Sequence, residues 1–300
     1  TQYRVPSPEY RVPSTEYPVP NTELTTPHPT VSILDEIIAD TKDLVAERKK
    51  KTPVGELEDR PLYGDREPLS LVEAIKEKGM SFIAEVKKAS PSKGVIRSDF
   101  DAARIARQYA ENDASAISVL TEPQYFQGSL QHLAWVRAHV QDVPLLRKDF
   151  IVDPYQVVEA RAVGADAILL IATALDPRQL AHLHQTAEEV GLDCLVEVYD
   201  HDDLDTIDFD QVQLLGVNNR DLTTFEVDID NSLRIFENVP RTVGRIAESG
   251  LSDPDTLVRL RQNGVNGVLI GEHFMRADTP GDALAQLRQD AKEIAYRNRS

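Results

Sequence analysis

Between Phe82 and Ile270 eight short apolar runs alternate with amphipathic stretches, and very few folds accept that pattern. The runs are Phe82–Val86, Ala116–Leu120, Pro144–Leu146, Ala167–Ile171, Cys194–Val198, Leu214–Val217, Val243–Ala247 and Gly267–Ile270. Each has the length of a strand, and a continuous apolar run suits a parallel strand buried on both faces. Helical periodicity lies near 101–112, 130–140, 154–163, 176–190, 200–207, 230–237, 253–263 and 281–297. Successive runs start at least 20 residues apart, room for a loop, a helix and a second loop. Eight such units in roughly 215 residues predict a (β/α)8 TIM barrel in the α/β class. An open doubly wound sheet is the alternative. It would place a Gly-rich turn after an early strand, and none is found.

The residues before the barrel divide in two. Residues 1–30 hold 7 of the 18 prolines and a seven-residue repeat, Tyr3 to Glu9, Tyr10 to Glu16 and Tyr17 to Glu23. Proline at that density removes backbone donors and forbids helix, so a disordered tail is expected. Residues 31–80 read as a helical extension. Ser32 is placed to cap a helix whose Leu34, Ile37, Ile38 and Val45 share a face, with Arg48 to Lys51 near its C-terminal end. A second helix is expected over 69–78, ending at Gly79. The barrel domain then occupies 81–300.

Composition narrows the function. The 33 basic and 50 acidic residues give a net charge of −17. That argues against nucleic acid as partner, since a phosphate backbone needs a basic face; a salty cytoplasm would also suit it. No apolar run approaches membrane-spanning length and no secretory leader pattern is visible, so a soluble, cytoplasmic protein is expected. The single Cys194 excludes an intramolecular disulfide and reads as a core residue. Scattered histidines give no metal site, and Trp135 reads as helix packing.

In a barrel of this kind chemistry sits at the C-terminal ends of the strands. Those ends carry Glu85 and Lys87, Lys148, Glu197, Asn218, and Glu248 with Ser249. Glu85 and Lys87 are two apart and so share one side of their strand. Charged groups at the inner end of apolar strands are costly unless they serve one another or a ligand. Any one of them alone could be a surface lysine, a salt-bridge partner or a turn residue. Together they suit acid–base work on a carbonyl or enamine substrate. Gly250 after strand seven, Gly271 after strand eight, and Ser90-Pro-Ser-Lys-Gly94 after strand one make a phosphate site plausible.

Five segments carry a specific resemblance: Phe82-Ile-Ala-Glu-Val-Lys-Lys-Ala-Ser-Pro-Ser92, Leu120-Thr-Glu-Pro-Gln-Tyr-Phe-Gln-Gly-Ser129, Leu146-Arg-Lys-Asp-Phe-Ile151, Gly216-Val-Asn-Asn-Arg-Asp-Leu222 and Ala247-Glu-Ser-Gly-Leu251. In order and spacing the chain resembles the indole-3-glycerol-phosphate synthases over about residues 31–297. The resemblance implies closure of 1-(2-carboxyphenylamino)-1-deoxyribulose 5-phosphate to indole-3-glycerol phosphate, with loss of CO2 and water, in tryptophan biosynthesis, without a cofactor or metal. It implies Lys148 as the acid of ring closure, Lys87 as the acid of dehydration, and Glu197 and Glu85 as candidate bases. Asn218 and Glu248 would orient the substrate and hold the lysines. Phosphate would meet Ser90, the backbone around Ser249 and Gly250, and the Gly271-Glu272 turn. Arg220 would take the anthranilate carboxylate, while Pro91, Phe126, Phe150, Leu169 and Leu222 line the ring pocket and residues 31–50 lid it. Weak association with other enzymes of that pathway is part of the same expectation.

Two other readings compete. A phosphoribosylanthranilate isomerase-like barrel would need a Cys/Asp acid–base pair, whereas the first strand here offers Glu85 and Lys87. A non-catalytic scaffold recruiting partners through the Tyr/Pro repeat would not need Lys87, Lys148 and Glu197, and all three are present.

Overall fold

The computed structural model describes residues 32–76, 79–221 and 224–298, so the expected tail at 1–30 and Leu222 lie outside the described residues. Eight parallel strands close into a barrel: β1 Ser81–Val86, β2 Ala116–Leu120, β3 Leu145–Lys148, β4 Ala167–Ile171, β5 Asp193–Val198, β6 Leu214–Asn218, β7 Gly244–Glu248 and β8 Gly267–Ile270. Each pairs with its sequence neighbours and β8 closes on β1, with Phe82 opposite Val268. β3 starts one residue later than expected and runs two further. A short hairpin, Ala89–Ser90 with Gly94–Val95, rises from the loop after β1.

Alternation decides which side chains meet. Ile83, Leu146, Leu169, Leu195, Leu214, Ile246 and Leu269 pack with one another inside the barrel. Their neighbours one residue away, among them Phe82, Ala84, Leu145, Ile168, Leu170, Val196, Leu215, Ala247 and Val268, pack in the layer between strands and helices. This period of two is the pleat of a strand. It follows that Glu85, Lys148, Glu197, Asn218 and Glu248, two residues beyond inward positions, enter the same interior. Cys194 is buried in the outer layer, as a core residue.

The helices follow the expected order, at Ala102–Glu111, Leu130–His139, Pro154–Ala162, Pro177–Glu189, His201–Leu204, Asp230–Phe236, Pro254–Gln262 and Pro280–Arg297. Asp or Ser caps recur at their starts: Asp101, Ser129, Asp153, Asp176, Asp200 and Asp253 each accept a backbone N–H. The segment expected as a helix over 200–207 forms a single turn, and an unforeseen short helix, Glu272–Arg276, follows β8. Trp135 is half exposed rather than packed, with its ring centroid 5.9 Å from that of His132.

The N-terminal extension begins with α1, Ile33–Lys51, closed at its start by a capping box between Ser32 and Asp35. Its face buries Ile37 and Val45, while Leu34 and Ile38 are half-buried. Arg48 to Glu159 at 3.2 Å and Lys49 to Asp153 at 2.7 Å fix its far end on the helix after β3. Short helices Val54–Glu58, Pro61–Gly64 and Leu71–Lys76 lead into β1. No helix among the described residues is long and apolar enough to cross a membrane, and no group of three or more His, Cys, Asp and Glu there is arranged to hold a metal.

Candidate active site

A cavity of about 380 Å³ opens at the C-terminal mouth of the barrel. Among the residues lining it are Glu85, Lys87, Ser90, Pro91, Phe126, Lys148, Phe150, Leu169, Glu197, Asn218, Arg220, Glu248, Ser249, Gly250, Gly271 and Glu272. Every site residue expected from the sequence is thus brought together except Leu222, which is not described. The volume suits a small molecule.

Two lysine–carboxylate pairs face each other across the mouth. Lys87 Nζ lies 2.6 Å from Glu85 Oε1. Lys148 Nζ donates to Glu197 Oε2 at 2.7 Å and lies 3.5 Å from Glu248 Oε2. Asn218 Nδ2 donates to Glu197 Oε1 at 3.3 Å, so Asn218 holds the carboxylate rather than a lysine. The three glutamates are almost fully buried, while Lys87 and Lys148 keep 18% and 15% of their side chains exposed. The ammonium groups are therefore the ends that a ligand can reach.

The charge states follow from these neighbours. Burial alone would discharge Lys148, but Glu197, Glu248 and Glu85 outweigh it and hold the ammonium above the ordinary lysine value. Burial also opposes the charge of Glu197, yet Lys148 and hydrogen bonds from Glu248 and Asn218 keep its carboxyl below the usual range. Glu248 goes the other way: burial, against the pull of Lys148 and with repulsion from Glu197 and Glu85, pushes it well above that range. Of the two carboxyls, Glu197 is the one held in its ionised form and Glu248 the one that more readily keeps a proton.

Two glycines make room for this machinery. A Cβ on Gly216 would collide with Glu248 Oε1, and one on Gly271 with Glu85 Oε1. Gly216 faces inward from β6 and Gly271 follows β8, so each buried carboxylate occupies the space of a missing side chain.

The rim differs at its two ends. Ile33, Leu34 and Ile37 of α1 form an apolar wall with Phe126, Phe150 and Leu169; the Phe126 and Phe150 ring centroids are 6.2 Å apart. At the other end Ser249 and Gly250 adopt positive φ of 68° and 74° after β7. Glu272 lies 2.9 Å from Arg276 and 3.8 Å from Arg220, whose Nη1 also donates to the Phe225 carbonyl at 3.0 Å.

Sequence reading missed Glu122. It lies in the Leu120–Ser129 segment, but a single loop glutamate carries no signal of its own. Its buried carboxylate accepts the backbone N–H groups of Gln124, Tyr125 and Phe126 at 2.8, 2.6 and 2.9 Å. That curls the loop after β2 and sets Phe126 into the cavity wall. From the same loop Tyr125 Oη and Gln124 Nε2 donate to Asp40 of α1 at 2.7 and 3.0 Å, tying α1 to the wall. Arg147, also missed, points outward beside Lys148. It is fully buried and bound to Asp149 at 2.9 Å and Glu159 at 3.1 Å, which anchors β3 behind Lys148.

Comparison with known proteins agrees with this geometry. Among solved structures the chain is similar in fold to KGPDC from Streptococcus mutans, with a TM-score of 0.55 and 16% identity over 72% of this chain and 98% of that one. It is also similar to the tryptophan synthase alpha subunit of Legionella pneumophila, with a TM-score of 0.53 and 11% identity over 88% and 100%. Identities this low speak for the barrel alone. In sequence it is 71% identical to the indole-3-glycerol phosphate synthase of Salinibacter ruber, over 88% of this chain and 98% of that protein. It is 45% identical to the Campylobacter jejuni protein of the same name, over 85% and 99%. The family model described as indole-3-glycerol phosphate synthase matches residues 34–287, which include all eight strands and, apart from Ile33, the whole of α1 and of the cavity lining. The chain belongs to the indole-3-glycerol phosphate synthase family.

Proposed function

We propose that this chain closes 1-(2-carboxyphenylamino)-1-deoxyribulose 5-phosphate to indole-3-glycerol phosphate by lysine–glutamate acid–base catalysis, as a carboxy-lyase. The observation that supports this reading is the pair of mostly buried ammonium groups, each with a small exposed fraction and backed by a buried carboxylate, in one mouth. Lys148 donates its proton to the ketone oxygen as the aromatic carbon attacks the carbonyl carbon. The anthranilate carboxylate then leaves as CO2 and its bonding electrons restore the aromatic ring. Lys87 protonates the new hydroxyl, which departs as water, and a carboxylate removes the ring-system proton. Two protons are given and one is taken back, so each turnover consumes one proton. Glu197, ionised and adjacent to Lys148, is the better-placed base for resetting the site, with Glu85 serving Lys87.

The apolar wall of Phe126, Phe150, Leu169 and α1 suits the aromatic ring, and Pro91 at the rim continues it. Leu222 is assigned to the same wall through its family motif. Arg220 would take the anthranilate carboxylate, a planar anion that a guanidinium can fork. Ser90, the Ser249–Gly250 backbone and the Gly271–Glu272 turn would take the phosphate. At position 272 backbone N–H would be the donor, because the Glu272 side chain is engaged with Arg276. A cytoplasmic setting and weak association with other tryptophan-pathway enzymes belong to the same reading.

Indole fluorescence on mixing purified protein with the carboxyphenylamino-deoxyribulose phosphate tests it. Turnover is expected without an added nucleotide or metal. Substrate binding without turnover would support the scaffold reading instead. An isomerase using a cysteine acid is disfavoured by Cys194, which is buried outside the barrel with its thiol pushed up by that burial.

A further inference from the structure

The end of the barrel opposite the mouth holds a second, smaller cleft. Arg245 at the start of β7, Arg241 in the loop before it, and Arg261 on the helix Pro254–Gln262 line it, together with Gln262, Gly264 and Asn266. Its volume is about 360 Å³. Glu248 lies three residues further along β7, at the catalytic end, so the cleft is distinct from the site described above.

Its charge pattern runs against the rest of the molecule. With 50 acidic residues for 33 cations, the described arginines outside this cleft, apart from Arg60, Arg107, Arg161 and Arg178, meet a carboxylate. Arg48, Arg66, Arg97, Arg137, Arg147, Arg220 and Arg288 all do so. Among the described residues, Arg241, Arg245 and Arg261 form no ion pair with a carboxylate.

The cluster is also partly built in rather than merely displayed. Arg245 is 6% exposed, which is unusual for an unpaired cation. One Nη of Arg245 reaches the Val239 carbonyl, its guanidinium lies over the Phe236 ring at 5.9 Å, and its buried Nε has no hydrogen-bond partner. Gly264, at φ 89°, leaves open the space beside it. The point where its Cβ would sit lies 3.2 Å from Arg241 Nη1 and 3.4 Å from Arg245 Nη1, so two guanidiniums converge there. Burial and the neighbouring Arg241 both weaken the hold of Arg245 on its proton, the signature of a cation lacking a counter-charge. Holding these groups together costs repulsion that a bound anion would relieve.

We propose that the Arg241–Arg245–Arg261 cleft is a binding site for a small multivalent oxyanion of the phosphate class, separate from the substrate's own phosphate site. At about 360 Å³ the cleft has room for a phosphate group, alone or carried on a small organic moiety. Arginine is the residue suited to forked recognition of such anions.

The test is calorimetric titration of the intact chain with inorganic phosphate, beside the Arg241→Ala/Arg261→Ala double variant, whose two sites are solvent-exposed. The wild type is expected to bind two phosphates. The variant should lose one of them, by about tenfold or more in affinity, while competitive inhibition of turnover by phosphate stays within about twofold. Thermal melting supplies a second reading: phosphate should raise the wild-type Tm more than chloride at equal ionic strength, and this excess should shrink in the variant. A single phosphate in the wild type, an unchanged pair of sites in the variant, or equal Tm gains from chloride would overturn the proposal. If the double variant fails to fold, Arg241→Gln and Arg261→Gln singly carry the same measurements.

Discussion

At the scale of single residues, the site is an exercise in paired charges. Lys148 is held protonated and Glu197 ionised by each other, so removing either changes the other's proton affinity as well as the inventory of groups. Lys148→Ala should lower kcat for ring closure by about 10²–10⁴-fold, the usual worth of a positioned acid, in a fluorescence assay of product formation. Near-normal turnover would remove Lys148 from its assigned role. Wild-type kcat/KM should show no alkaline limb from Lys148 in the ordinary lysine range and no acid limb from Glu197 in the ordinary carboxylate range, because both values are displaced outward. A pH–rate profile checks this, and Lys148→Met should bring the Glu197 limb up toward neutrality by removing the cation that holds it down. These residues were legible in the sequence because strand parity placed them in one register. The charge states were not, since they depend on contacts between strands 21 to 100 positions apart.

At the scale of elements, the loop after β2 shows what one carboxylate does for a backbone. Glu122 satisfies three successive N–H groups, and the curled loop then presents Phe126 inward and Tyr125 toward α1. Glu122→Gln keeps the shape but exchanges a charged acceptor for an amide. It should raise KM by about tenfold with a smaller effect on kcat, as expected for loss of charge-assisted bonds. An unchanged KM in steady-state kinetics would show that the loop does not depend on that charge. The strands and most helices were readable from periodicity and Asp or Ser caps. α1 was readable as a helix, but its tie through Asp40 was not, because Asp40 meets Tyr125, 85 positions further on, only once the chain folds back.

At the scale of the whole molecule, two expectations concern solution conditions. His132 lies in the first turn of its helix with Nδ1 unpartnered, and burial and Lys88 lower its pKa to about 4. The folded chain therefore resists a proton that the unfolded chain takes up near its ordinary value of 6.5. Stability should fall as pH drops from 6.5 toward 4, by about 2–3 kcal/mol from this group, and urea melts of wild type and His132→Gln should differ across that window. The second expectation concerns salt. The net charge of −17 should repel an anionic substrate, but Lys88, Lys93 and the Arg220–Glu272–Arg276 group lie near the mouth. Raising KCl from about 50 to about 300 mM, across the range where the Debye length contracts strongly, should leave kcat/KM within about threefold; a steep rise would show that the overall field dominates. Finally, the mouth has no idle cation among Lys87, Lys148 and Arg220, since each already leans on a glutamate. An incoming anion therefore arrives as a replacement. Its affinity is the difference between two partners for the same cation, and every product that leaves finds a resident carboxylate ready to take its place.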